Sequence, residues 1–117
     1  PDGLVGDNGL IEVKSPRHKG HLETVVTDTM PLGYMAQIQS GLLVSGRQWC
    51  DFISWPGGMA PHVIRIEPDD TWHAAIKAAV KQFEAQAADI IALYNKRTAG
   101  VAVPALIDPY TPMELKL

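Results

Sequence analysis

The sequence predicts one α/β domain: a mixed sheet of about four strands flanked by helices over residues 31–46 and 71–97. Three observations carry this. Two short β-branched runs flank a turn-rich segment near the start, "LVGDNGLIEVK". Strict alternation runs through "WCDFISW", and another β-branched run follows at 62–67. Two stretches repeat apolar residues at helical spacing, one between Pro31 and Gly46 and one between Asp70 and Gly100.

The first pair of strands forms a hairpin. Asp7-Asn8-Gly9 suits a three-residue loop closed by a left-handed glycine at Gly9. That register opposes Leu4 to Glu12 and Asp2 to Lys14. Side chains alternate along a strand, so Asp2, Glu12 and Lys14 share one face, while Val5, Ile11 and Val13 turn to the other and enter the core. A two-residue turn would shift the pairing by one and send Asp2 to the wrong side.

Two carboxylates crowded together raise each other's pKa unless a cation lies between them. Mg²⁺, or Mn²⁺ in its place, suits Asp2 and Glu12, because it takes oxygen ligands and keeps several waters for substrate. The carbonyl of Val13 borders the same patch and is expected as a further ligand. Lys14 alongside can orient or deprotonate a bound water, which makes a site for phosphodiester hydrolysis. The same residues would also suit an edge strand with a solvated polar face.

Pro16 stops the second strand. Arg17-His18-Lys19 follow in a connection that can grip phosphates or simply be solvated. Residues 22–29 show no period and read as a loop over the substrate channel or the start of the next helix. In the helix 31–46, Pro31 fits the first position and Gly46 the end, with Tyr34, Ile38, Leu42 and Met35 as its apolar repeat. Gln37 lies one turn from Tyr34, and Gln39 points elsewhere.

In the alternating strand, Cys50 falls on the apolar side as packing. Asp51 could be a third metal ligand but is expected to face a lysine or water. His62 and His73 stand alone, which gives no zinc pattern. Asp70 is read as the cap of the long helix, whose buried stripe would be Trp72, Ile76, Ala79, Val80, Phe83, Ala87, Ile90 and Tyr94. At roughly 40 Å it outruns so short a sheet, so part of that stripe is expected to cover a neighbouring subunit. Residues 101–117 carry three prolines and read as an extended tail.

Composition narrows the function. One domain of 117 residues with a single cysteine has no disulfide, which suits a reducing cytoplasm. The apolar runs are too short to cross a membrane. A net charge of −3 excludes a protein that wraps nucleic acid by charge alone, yet a nuclease whose carboxylates are covered by cations tolerates it.

Pro-Asp, a hairpin, then Glu-x-Lys resembles the PD-(D/E)XK nuclease superfamily. More narrowly, "PDGLV", "GLIEVKSP" and "MPLGYMAQIQSGLLVSGRQWCDFISW" are similar to the phage-type alkaline exonucleases of the lambda exonuclease and YqaJ kind. The matching residues are Asp2, Glu12, Lys14, Pro16, Tyr34, Gln37, Gln39 and the Trp49–Trp55 strand, within residues 1–67. The resemblance implies a restriction-endonuclease-like core, with helices ahead of Asp2 in the complete domain. The chain then reads as the C-terminal portion of a larger nuclease domain. It implies catalysis by Asp2, Glu12, Lys14 and Gln37, with Gln37 donating an amide hydrogen bond near the attacking water or phosphate and Gln39 structural. It also implies 5′-to-3′ digestion of one strand from double-stranded DNA ends, a trimeric ring, and hand-over to a single-strand annealing protein in phage-type recombination. Two other readings stand beside it: an endonuclease or junction resolvase of the same superfamily, and a non-catalytic DNA-binding or assembly module.

Overall fold

The computed structural model describes residues 1–105. In chain order it has β1 (Gly3–Val5), β2 (Gly9–Lys14), α1 (His18–Thr27), a 3₁₀ turn (Leu32–Tyr34), α2 (Met35–Ser45), β3 (Trp49–Ser54), β4 (His62–Ile66) and α3 (Asp70–Thr98). The strands form one mixed sheet in the order β1-β2-β3-β4. The hairpins β1–β2 and β3–β4 are antiparallel and the central β2–β3 pair is parallel. A parallel pair needs a crossover, and α1 and α2 lie in it. The chain divides into two compact units, Pro1–Phe83, which holds the whole sheet, and a second that begins at Glu84.

The hairpin keeps its expected parity in a different register. Leu4 pairs with Leu10 and Gly3 with Ile11, two residues from the expected pairing. The loop is Gly6-Asp7-Asn8, and the left-handed glycine is Gly6 (φ 50°) instead of Gly9. Gly9 is needed in the strand for another reason. It pairs with Trp49 across the sheet, and a Cβ there would run into the indole ring. Arg47 then clamps the turn, its Nη1 donating to the carbonyls of Gly6 and Gly9, both at 2.8 Å. A shift of two leaves each side chain on its face, so Asp2 comes to lie opposite Glu12.

The expected core face is the opposite one. Val5 and Val13 are exposed and Ile11 is half-buried. The buried cluster is Leu10, Met30, Ile38, Leu42, Cys50 and Phe52. Leu10, Cys50 and Phe52 share the face of Glu12 and Lys14, because paired residues of parallel strands point the same way and Glu12 pairs with Phe52. Helix α2 packs on β2 and β3 there. The more apolar face, Ile11 and Val13, is thus the outer one, and the packing of α2 buries the face of Leu10 and Glu12 instead.

The helix over 31–46 is present as the 3₁₀ turn and then α2, closed by Gly46 (φ 67°), whose N–H donates to the Leu42 carbonyl at 2.9 Å. Gln39, almost wholly buried, is structural as expected. Its amide donates to the Glu67 carbonyl at 2.8 Å and accepts from the Asp69 N–H at 3.0 Å. Segment 22–29 is neither of the expected things. Most of it is the body of α1, which buries His21 and Thr24. Its inward stripe is polar, so no apolar period marks it.

Helix α3 runs as expected, but its cap is Asp69, whose Oδ1 accepts from the N–H groups of Thr71 and Trp72 at 2.8 and 3.1 Å. None of α3 is buried: Phe83 is 70% and Ile90 68% exposed. The tail is described to residue 105, without regular structure; residues 106–117 of the expected extended tail lie outside the described residues.

Candidate active site

At its Lys14 end, the face that carries the core becomes polar. Leu10 is buried under α2, Glu12 one pair further on is 3% exposed, and Lys14 at the end of β2 is half-buried. A carboxylate so deeply placed needs partners to stay charged. Glu12 Oε1 accepts from Lys14 Nζ at 2.5 Å and from Gln37 Nε2 at 2.7 Å. Lys14 Nζ also donates to Gln37 Oε1 at 3.2 Å, which closes a three-membered network. Glu12 Oε2 is 3.7 Å from the terminal nitrogen of Pro1.

Asp2 joins from the neighbouring strand. Its N–H donates to the Ile11 carbonyl at 2.8 Å, and its Oδ2 accepts the Val13 N–H at 2.7 Å. The N–H and C=O of one strand residue point to the same side. The Val13 carbonyl therefore projects on the Asp2 edge of β2, whereas the Lys14 carbonyl points to β3 and accepts the Trp55 N–H at 2.9 Å. Asp2, Glu12 and the Val13 carbonyl thus converge on one edge. Their free donors are all oxygens, which fits a hard divalent cation that retains several waters. Among the described residues no group of three or more His, Cys, Asp or Glu side chains is placed to hold a metal.

Lys14 has its pKa raised. The hydrogen bond to Glu12 is the main cause, the fields of Glu12 and Asp2 add to it, and burial opposes it. The amine is therefore an ammonium, a donor and a positive charge at neutral pH. Its Nζ also lies 5.2 Å from the centre of the Tyr34 ring, which stacks on Phe52 at 5.6 Å.

Asp51 is not part of this cluster. It sits on the opposite face, paired in register with Ile11, and Arg65 grips both its oxygens at 2.8 and 2.9 Å while lying 3.8 Å over Trp49. The partner is an arginine, where a lysine or water was expected. Arg17, His18 and Lys19 are exposed at the start of α1, a helix end where a loop was expected. Cys50 is buried, and burial pushes its thiol pKa up to about 11, as suits packing. His62 pairs with Asp28 at 2.8 Å.

Sequence reasoning missed one pair behind the site. His21 Nδ1 and Ser54 Oγ are 2.9 Å apart and almost fully buried, and Ser54 is the cross-strand neighbour of Lys14. The bond ties α1 to the rung that carries the lysine. A lone histidine in a segment without period gave no signal of it.

No family model matches the chain, and no curated protein matches it. Two solved structures do. One is an alkaline exonuclease, LHK-Exo from Laribacter hongkongensis, at 39% sequence identity and a TM-score of 0.80 over 87% of this chain. The other is LHK-Exo in complex with dAMP, at 39% identity and a TM-score of 0.79. In sequence and fold the chain is similar to these alkaline exonucleases, consistent with the PD-(D/E)XK nuclease superfamily that its motifs suggest. The mixed four-stranded sheet flanked by helices matches the nuclease fold of these neighbours. The chain spans 55% and 54% of the length of the two LHK-Exo chains.

Proposed function

We propose that the chain is the catalytic core of a Mg²⁺-dependent exonuclease that digests one strand of double-stranded DNA from an end, 5′ to 3′, in phage-type recombination. The observation that carries this is the hydrogen-bonded network of Glu12, Lys14 and Gln37, with Asp2 bonded to the neighbouring Val13 N–H, in a chain 39% identical to an alkaline exonuclease. That LHK-Exo has been solved with dAMP, a deoxynucleoside monophosphate, supports mononucleotides as products here too.

Asp2 and Glu12, with the Val13 carbonyl, would hold Mg²⁺ or Mn²⁺. When bound, such an ion polarises the phosphate and acidifies a coordinated water. Glu12 also fixes its neighbours, because its Oε1 is the shared acceptor of Lys14 and Gln37. Lys14, held as an ammonium, aims a positive charge at the phosphate and a donor at the attacking water, which favours orientation over proton abstraction. Gln37 offers its amide to the same region. Arg17, His18 and Lys19 lie exposed at the start of α1 and would contact the DNA backbone; such contacts position the duplex without reading its sequence.

Assembly into a trimeric ring and transfer of the exposed strand to a single-strand annealing protein rest on the family likeness, and work in the cytoplasm on the single cysteine. No helix among the described residues is long and apolar enough to cross a membrane.

The test uses full-length protein with Mg²⁺ on a linear duplex, with and without a 5′ phosphate, beside a closed circular duplex. Mononucleotide release from the linear form alone, abolished by Glu12→Gln, is the expected outcome. Cutting of the circle would instead mark an endonuclease or junction resolvase. DNA binding without cleavage under any divalent metal would mark a non-catalytic module.

A further inference from the structure

Lys14 and Ser54 are the last paired residues of the β2–β3 ladder. Strand ends fray, because past them the backbone has few bonds left to hold it. Beyond this rung the Trp55 N–H still donates to the Lys14 carbonyl, at 2.9 Å. Packing does not make up the difference. The space lined by Lys14, Tyr34, Phe52 and Ser54 is an open cavity of about 410 Å³, so the lysine stem lacks a filled wall on that side. Glu12 and Gln37 hold the ammonium at its tip. The root of the side chain needs an anchor of its own.

Helix α1 supplies one. His21 Nδ1 meets Ser54 Oγ at 2.9 Å, with both residues almost fully buried. A buried polar pair is costly to break, since the partner that remains has no water to turn to. Ser54 also pairs across the sheet with His62, which reaches Asp28 at the end of α1 at 2.8 Å. That second tie is exposed at Asp28, where solvent screens it. The row Lys14–Ser54–His62 is thus fastened to α1 twice, and the inner tie is the buried one. We propose that His21 is a positioning residue for DNA cleavage: through its bond to Ser54 it fixes the last rung of the ladder and with it the root of Lys14. The inference rests on the reading of Lys14 as the residue that orients the attacking water, and it adds what keeps that lysine in place. Misplacement by about 1 Å can cost on the order of 10²-fold in rate, so an anchor outside the reacting groups carries catalytic weight.

Ser54→Ala removes the bond by deleting one buried oxygen. Turnover and KM on a linear duplex with Mg²⁺ are measured for full-length wild type, Ser54→Ala, Lys14→Ala and the double variant. Thermal melting fixes an assay temperature at which all are folded. Ser54→Ala should lose about 10- to 100-fold in kcat with KM little changed. Added to Lys14→Ala it should cost no more than about twofold, because the lysine it positions is already gone. Asp28→Asn cuts the exposed tie and keeps a residue suited to the left-handed backbone there (φ 48°), so it should turn over like wild type. Unchanged kcat in Ser54→Ala would overturn the proposal. So would a loss of equal size in both backgrounds, which is what general destabilisation gives. A defect confined to KM would overturn it too, since the bond would then serve only to seat α1. Should Ser54→Ala not fold, His21→Leu breaks the same bond from the other end and carries the same expectations. One arm needs no cleavage: in the free protein, hydrogen exchange at the Trp55 amide should be faster in Ser54→Ala than in wild type. A wild type that cuts no DNA would sink the nuclease reading and with it the catalytic weight of His21. A Trp55 amide that still loosens would then show that the anchor itself stands, and an unchanged one would reject the anchor as well.

Discussion

Glu12 is the residue on which the site turns, because one buried oxygen serves both Lys14 and Gln37. Its loss and that of Lys14 should therefore look different. Lys14→Ala should retain metal affinity and lose about 10²–10⁴-fold in turnover, the usual worth of positioned acid–base help. Glu12→Ala should lose metal and activity together. Duplex binding in Ca²⁺ separates them again: kept by Lys14→Ala, weakened by Glu12→Ala. Near-wild-type cleavage by Lys14→Ala would reduce the Glu-Val-Lys strand to an ordinary polar edge. The same pair sets a pH limit. The folded pKa of Lys14 lies above its ordinary 10.5, so the pair's contribution to stability is full below about 10.5 and is lost as the pH climbs through the raised value. Denaturant midpoints taken between neutral and strongly alkaline pH should fall at the alkaline end. They should fall less in Lys14→Met, which has no such proton to lose.

At the level of elements, two substitutions weigh different kinds of constraint. Gly9→Ala drives a methyl group into the Trp49 indole and should cost about 1–3 kcal/mol, as overpacking does. Asp69→Ala removes the acceptor of two N–H groups at the start of α3 and should cost about 1 kcal/mol. Thermal melts of the two variants measure this, and a harmless Gly9→Ala would mean that Trp49 is free to move off the strand. Strand β2 and helix α2 were legible in the sequence because their punctuation is local: Pro16 stops one, Gly46 closes the other. Helix α1 was not legible, since its buried residues His21 and Thr24 are polar and a period in hydropathy cannot register them. Asp70 was read as the cap where Asp69 serves, a one-residue choice between neighbouring acids that only the N–H partners settle.

For the molecule as a whole, the exposed apolar side chains of α3 are the feature that asks for a partner. Val80, Phe83, Ile90 and Tyr94 are half or more exposed, which is more apolar surface than one helix usually leaves in water. With the proposed trimer, light scattering of the full-length protein should give three times the chain mass, and Phe83→Glu with Ile90→Glu should reduce that mass. A strictly monomeric wild type at high concentration would remove the ring and leave the chemistry untouched. What the sequence determined by itself is local and periodic: the strands, two of the three helices, and the parity that puts Asp2, Glu12 and Lys14 on one face. Parity survives a register shift of two, which is why that inference held although the hairpin pairing did not. Tertiary structure decided which face of β2 is buried, because hydropathy favours the Ile11–Val13 face and the packing of α2 covers the one with Leu10 and Glu12. It also decided that Glu12 would be enclosed with Gln37 and that Asp51 would be claimed by Arg65. Those partners are distant in sequence, and no spacing within a strand or a helix records which of them the fold will bring together.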